Sequence, residues 1–298
     1  YGINQMYATN LGINHVNITN GGKIELGNSS SISNPSIGIY SKYGNIENQG
    51  IITGGVNTLG ILSETPYAVN MTNGGTITLG NGGIAIYKKQ GTLNLDNNSN
   101  ITVGNSAIAV YGDDNVTINN NSANINVGDT SFGFVLLGTG TNNYISSSNS
   151  IFNMGTGSVY IYKEGAGTVD TYTTVNSLGS QNAAIYATGS GTTINNYGNI
   201  NFTSGVGNVG VYSDNGAIAN NYGNITVAGS DVDNDLYSIG MATIGGTIKN
   251  YNTINVTGDY GLGMFAQGVG SYAENNGTIN ITGSAKNGYG MYLDAGAK

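Results

Sequence analysis

Four phrases in this chain, NNYGNINF (195–202), NNYGNITV (220–227), KNYNTINV (249–256) and ENNGTINI (274–281), are variants of one sentence, set at steps of 25, 29 and 25 residues. Self-similarity at such a period marks a stacked-coil architecture, in which no unit can bury its apolar face alone. The fold class therefore follows from the repeat, and function becomes a question about one long surface.

The register runs almost end to end. Its anchors are Ile24, Ile52, Ile77, Ile101, Ile125, Phe152, Val175, Ile200, Ile225, Ile254 and Ile279. A second phrase falls between them: SIGIY (36–40), IAIY (84–87), IAVY (108–111), VYIY (159–162), AAIY (183–186), VGVY (209–212), LGMF (262–265) and YGMY (289–292). A third, shorter apolar pair precedes each anchor, as in TLNL (92–95) and TIKN (247–250). Apolar residues alternate with small or polar ones, the period of a half-buried strand. Gly and Asn interrupt every run and β-branched residues dominate, which disfavours helix. Three short strands per unit predict an all-β chain: a right-handed parallel β-helix of about eleven coils with three strand tracks, residues 1–298 forming one segment. At a strand spacing of about 4.8 Å the rod is roughly 50 Å long.

Glycine supplies 50 of 298 residues, but with two prolines and no period of three the chain is not collagen. Hydrophobic residues make up 38% and recur in phase, which argues against disorder. Asparagine recurs with the coil at Asn48, Asn73 and Asn98, and at Asn196, Asn221, Asn250 and Asn275. These positions read as turn stabilisers and stacked amide ladders rather than as ligand contacts. Cysteine is absent, all eight basic residues are lysine, and the net charge is −8. Without a basic footprint, nucleic acid and anionic membrane are not expected partners. No leader-like segment and no apolar run of membrane-spanning length is present. The chain starts mid-phrase at Tyr1 and stops at Lys298 just after a strand, with no polar capping coil at either end, so a longer solenoid is expected.

Motifs for chemistry are sparse. His15, the single histidine, reads as a strand residue. Asp96, Asp113, Asp114, Asp129, Asp170, Asp214 and Asp259 fall mostly singly in turns, where aspartate is a turn former. Asp231, Asp233 and Asp235 alternate in GSDVDND (229–235), which resembles the opening of a calcium loop but lacks its Gly and distal Glu; a solvated acidic loop is the expectation, with no metal and no cofactor. The coil between Ile225 and Ile254 is longer than its neighbours, the extra length lying at 230–237, and GTGTNNYISSSNS (138–150) is irregular. Insertions in solenoids emerge as loops and often carry binding. Asp231, Asp233, Asp235, Tyr237 and Tyr144 are therefore the candidate ligand contacts. In IAIY, Ile84 and Ile86 are expected to point inward and Tyr87 outward. Tyr40, Tyr87, Tyr111, Tyr162, Tyr186, Tyr212 and Tyr292, with Phe265, then form a stripe, either a stacking corner or a contact face, with stacking expected to dominate.

The alternating phrases NNYGNITV and VGVYSDNG resemble the passenger region of the large monomeric autotransporter adhesins of fusobacteria, over most of the chain and most clearly at 183–298. The resemblance implies a β-helical adhesin stalk at the cell surface, outside the outer membrane. Its partners would be a host-cell or bacterial surface protein or glycan, and its membrane attachment would run only through a C-terminal barrel that this chain does not contain. The rival is a β-helical polysaccharide lyase or glycoside hydrolase, which needs paired carboxylates. Lyases of this shape usually use Arg or Lys beside calcium, and arginine is missing. A non-catalytic chain is expected.

Overall fold

A computed structural model describes residues 2–5, 17–64, 69–282 and 287–298, without the side chains of residues 4 and 5. His15 lies outside the described residues. The chain winds as a right-handed parallel β-solenoid of about eleven turns. Among the described residues each complete coil contributes one strand to each of three faces, and strands pair in parallel with their copies in the neighbouring coils. The first face carries strands such as Val209–Asp214, the second Ile218–Asn221 and the third Ile225–Val227. A single 3-10 turn, Val232–Asn234, is the only helical element among the described residues.

The anchors pair in one unbroken column from Ile24 to Ile279. Ile52 through Ile254 are buried, and the terminal members Ile24 and Ile279 are partly buried against the same core. On the second face, Ile46, Met71, Leu93, Ile118, Tyr144, Val169, Ile194, Ala219 and Ile248 form another inner column. On the first face, Ile39, Ile61, Ile86, Val110, Phe134, Ile161, Ile185, Val211, Met241 and Met264 do the same. The core is thus a stack of like on like.

Several expectations need correction. Ile84 is only partly buried while Ala85 and Ile86 are both sealed. The first face bends at the residue before its inner column, so two consecutive side chains turn inward. That bend wants a small residue: a Cβ at Gly210 would lie 2.7 Å from Ile225 Cγ2 and 2.5 Å from the Gly240 carbonyl oxygen. In two coils the first and second faces run together as single long strands, Ile84–Leu95 and Ile108–Asn120. Gln90, Gly91, Asp114 and Asn115 take left-handed conformations at that junction, and the chain turns the corner where the pairing of the two strands shifts register between Lys89 and Gly91.

The buried asparagines form two amide ladders. Asn20 donates to Asn48 and Asn48 to Asn73, both at 2.7 Å. Asn196 donates to Asn221 at 2.8 Å, Asn221 to Asn250 at 2.9 Å and Asn250 to Asn275 at 2.8 Å. Asn98 is exposed and outside the first ladder; the Asn73 amide donates instead to Ser99 Oγ, and Leu95 holds the column position. Between the ladders a hydroxyl network bridges the gap. Asn120 donates to Tyr144, whose hydroxyl meets that of Tyr160 at 2.7 Å, and Tyr160 contacts Thr171 and Thr173.

Candidate functional site: an uncharged face and its edge loop

The outer surface of the third face is the most uniform feature of the rod. After the first strand, Lys23–Leu26, its ten strands from Ile51–Gly54 to Thr278–Ile281 contain no charged residue. Alternation turns most of their Ile, Val, Leu, Met and Phe inward and leaves mainly Asn and Thr outside, joined by the exposed Ile51 and Ile151. The outer amides are themselves linked: Asn153 donates to Asn126 at 2.9 Å, Asn176 to Asn153 at 3.3 Å and Asn201 to Asn176 at 3.0 Å.

Along one edge of this face runs a groove of about 610 Å³, lined by Asn153, Asn176, Asn201, Met154, Leu178 and the turn residues Asp129 and Thr156, among others. Leu178 is 78% exposed. Asp129 acts as a turn former, accepting the Thr156 backbone N–H at 2.8 Å. The turn from the third face to the first is repetitive in this region. Asn81, Asn105 and Asp129 each accept a backbone N–H from the next coil, and one residue per coil, such as Ser106, Thr130 and Gly157, is left-handed.

The acidic loop lies in this same turn, one coil beyond the groove. Asp231 and Leu236 form an antiparallel bridge, with both backbone bonds at 2.9 Å, around the turn Val232–Asn234. Leu236 folds back over Gly207, in the coil whose Thr203 lines the groove. Asp231 accepts from the Asn234 amide at 2.8 Å, Asp233 and Asp235 are exposed, and Tyr237 is 41% exposed. The described residues contain no group of three or more His, Cys, Asp or Glu side chains arranged to hold a metal ion.

Tyr144 sits elsewhere. It is 1% exposed, packed against Phe134 and Tyr160 and hydrogen-bonded in the core network, so it cannot meet a ligand at the surface. The stretch 138–150 that looked irregular is two turns around a regular strand, Asn143–Ser146, which places Tyr144 in the inner column of the second face. In the first turn, 138–142, the Asp114 carboxylate accepts from Thr139 and Gly140.

The tyrosine stripe exists but is broken. In register it reads Tyr40, Leu62, Tyr87, Tyr111, Val135, Tyr162, Tyr186, Tyr212, Ala242, Phe265, Tyr292. Tyr87 stacks on Tyr111 with centroids 5.0 Å apart, and Tyr186 meets Tyr162 and Tyr212 edge-on at 5.2 and 4.9 Å. The rings are half-buried and their hydroxyls donate to carboxylates: Tyr40 to Glu64, Tyr87 to Asp113, Tyr162 to Glu164 and Tyr186 to Asp214. Burial first, and then the neighbouring carboxylate, raises the Tyr87 and Tyr186 phenols well above their ordinary value. Tyr186→Ser removes ring packing and the hydroxyl donor to Asp214 Oδ2, while the other carboxylate oxygen of Asp214 is buried without a partner. It is expected to lower stability by about 2 kcal/mol, measured by denaturant unfolding, with Tyr212→Ser somewhat milder. A Tyr186→Ser, Tyr212→Ser double variant that melts normally would show the rings to be bystanders in stacking.

Sequence reasoning missed a second aromatic row. Tyr172, Tyr197, Tyr222 and Tyr251 stack face to face at the corner between the second and third faces, with centroids 4.6, 4.9 and 4.9 Å apart and interplanar angles of 11, 11 and 6°. They are 38–40% exposed and border the uncharged face on the edge opposite the groove. The signal was the tyrosine of the NNYGN phrase itself.

Comparison with known proteins gives one result. A family profile described as the BigA third pectate lyase-like domain matches residues 67–298. No curated protein and no solved structure matches the chain significantly. With more than three-quarters of its length under that profile, and with the parallel β-helix the description implies, the chain belongs to the BigA third pectate lyase-like domain family.

Proposed function

We propose that this chain is a non-catalytic, adhesive stalk segment displayed at a bacterial cell surface, attaching to host cells or other bacteria. The finer reading, that it is part of a passenger resembling those of fusobacterial autotransporters and held at the outer membrane by a barrel outside these residues, belongs to the same proposal. One observation carries it. The residues that recur with the coil build the rod, while the side chains left outside form a continuous uncharged face bordered by exposed tyrosines and by an edge groove with its loop. Extended, regular, half-apolar surfaces of this kind suit contact better than turnover.

A lyase reading draws support from the family's description and from the carboxylates Glu64, Asp113, Glu164 and Asp214 beside the first-face tyrosines. It is the weaker reading, because each of those carboxylates is engaged by a tyrosine hydroxyl and the chain offers no arginine to bind an acidic polymer. Incubation with polygalacturonate should yield no unsaturated oligosaccharides; their appearance would make the chain an enzyme. For adhesion, replacing 230–236 by a short turn should leave the circular dichroism unchanged and reduce binding of the purified chain to host and bacterial cells several-fold. Full binding by that variant would move the contact away from the acidic loop.

A further inference from the structure

We propose that the groove beside Leu178 is a binding site for a neutral oligosaccharide lying along the rod axis. The inference deepens the adhesive reading and rests on it only in placing the sugar on a cell.

The argument begins with charge. The protein carries a net charge of −8, yet the ten strands of this face are uncharged, and the only ionisable side chain in the groove lining is Asp129, an acid with one carboxylate oxygen engaged by the Thr156 N–H. Such a surface offers nothing to an acidic polymer, and a cationic one would find stronger attraction on the carboxylate-bearing first face. What it does offer is amides in a row. In the chain Asn201 to Asn176 to Asn153 to Asn126, each donating amide uses one N–H on its neighbour. A primary amide has two N–H groups and two oxygen lone pairs. Each interior member therefore keeps one donor and one acceptor for the outside, repeated at the coil spacing. Hydroxyl groups both donate and accept, so the vicinal hydroxyls of a pyranose match this pairing, whereas a hydrocarbon or a lone anion does not.

The second element is apolar. Leu178, 78% exposed, and the buried Met154 both line the groove. A pyranose presents C–H groups on its ring faces and hydroxyls around its rim, so one ring can lie on Leu178 while its rim meets the amides. Elongation of the groove across the coils that supply Asn153, Asn176 and Asn201 favours several linked sugars over a single one. The neighbouring loop, seated by Leu236 over Gly207, borders the same edge, which connects the acidic insertion to the groove without making its aspartates ligands.

The test titrates the isotopically labelled chain with cellohexaose, maltohexaose and chitohexaose, and with a galacturonic acid hexamer as the charged comparator, by NMR. Saturable shifts of Asn153, Asn176, Leu178 and Asn201 with at least one neutral hexaose, and tenfold weaker or absent binding of the acidic one, are expected. Leu178→Ser and Asn176→Asp, both at the surface, should each weaken the neutral hexaose at least fivefold, while Tyr186→Ser on another face leaves it unchanged. No neutral hexaose binding, stronger binding of the acidic hexamer, or full affinity in Leu178→Ser would each overturn the proposal. Cell binding measured in parallel separates the two readings: cells without hexaose sink the glycan groove alone, hexaose without cells sinks adhesion alone.

Discussion

Asn221→Leu is expected to destabilise the middle of the solenoid by about 3–5 kcal/mol, although it swaps one buried side chain for another of similar volume. Asn221 is fully buried, donates to Asn250 Oδ1 and to the Gly223 carbonyl, both at 2.9 Å, and accepts from Asn196 at 2.8 Å. Leucine answers none of these. It leaves a donor on Asn196 and acceptors on Asn250 and Gly223 sealed in the core, and each orphaned polar group costs about 1–3 kcal/mol; local relaxation recovers part of the sum. The outer ladder gives the contrast. Asn220 donates to Asn195 at 2.9 Å from a half-buried position, so water can replace the lost partner and Asn220→Ala should cost below about 1 kcal/mol. Coils touch only their neighbours, so the defect should be local: hydrogen exchange in Asn221→Leu should accelerate at about 190–260 and remain unchanged before residue 130. A variant that keeps full protection at 196–250 would show the ladder to be decoration on an apolar stack.

Much of the fold could be read because the solenoid repeats its physics. A column residue must suit the copy above and the copy below, so Ile52, Ile77, Ile101, Ile200, Ile225 and Ile254 declare their register by recurrence alone. Part of what escaped occurs only once. Tyr144 replaces an aliphatic residue in the column running from Ile118 to Val169, and Tyr160 takes a place that Gly133 and Ala184 fill in adjacent coils. The two hydroxyls meet in the core, although Tyr144 looks, in the sequence, like a polar residue of a loop. Asn98 erred the other way: its spacing matched the ladder, but it sits in the turn after Leu95, which takes the register position beside Asn73, and the Asn73 amide reaches Ser99 Oγ instead. The groove was invisible for a different reason. Outward asparagines read as turn formers, and only the paired register of Asn126, Asn153, Asn176 and Asn201 turns them into one row. The acidic loop was located correctly as a protrusion, because inserted length in a stacked coil has nowhere to go but outward.

Lys88→Met is expected to make the protein more stable near neutral pH by about 2 kcal/mol, and to lose that advantage by about pH 9. Lys88 is fully buried at the corner after Tyr87, in register between Ser63 and Gly112, and its ammonium meets Ser63 Oγ at 3.3 Å. The charged residues next in those strands, Glu64, Lys89 and Asp113, lie on the more exposed alternate positions. Burial alone pulls its pKa from the ordinary 10.5 down to about 7. Lys163, the equivalent residue three coils on, is also lowered, to about 8, by burial, and its amine donates to the carbonyls of Glu164, Gly165 and Ala166. A lysine held below its unfolded pKa means the unfolded chain binds the extra proton. Stability therefore rises with pH from about 7 toward 10, at up to about 1.4 kcal/mol per unit for each such group. Methionine has nearly the same shape and no charge to desolvate, so it removes a cost on the order of 4 kcal/mol at neutral pH. Against that stand the lost hydrogen bond of Ser63 and imperfect packing, about 1–2 kcal/mol. Above pH 10 the slope reverses in both proteins, because Tyr144 and Tyr160 are held protonated by burial in the fold while their unfolded phenols ionise. Denaturant unfolding at about pH 6.5, 8 and 9 reads the difference directly. A wild-type chain whose stability is flat across that range, or a Lys88→Met variant less stable than wild type at about pH 6.5, would mean that the Lys88 ammonium finds solvation in the core that a single serine does not provide.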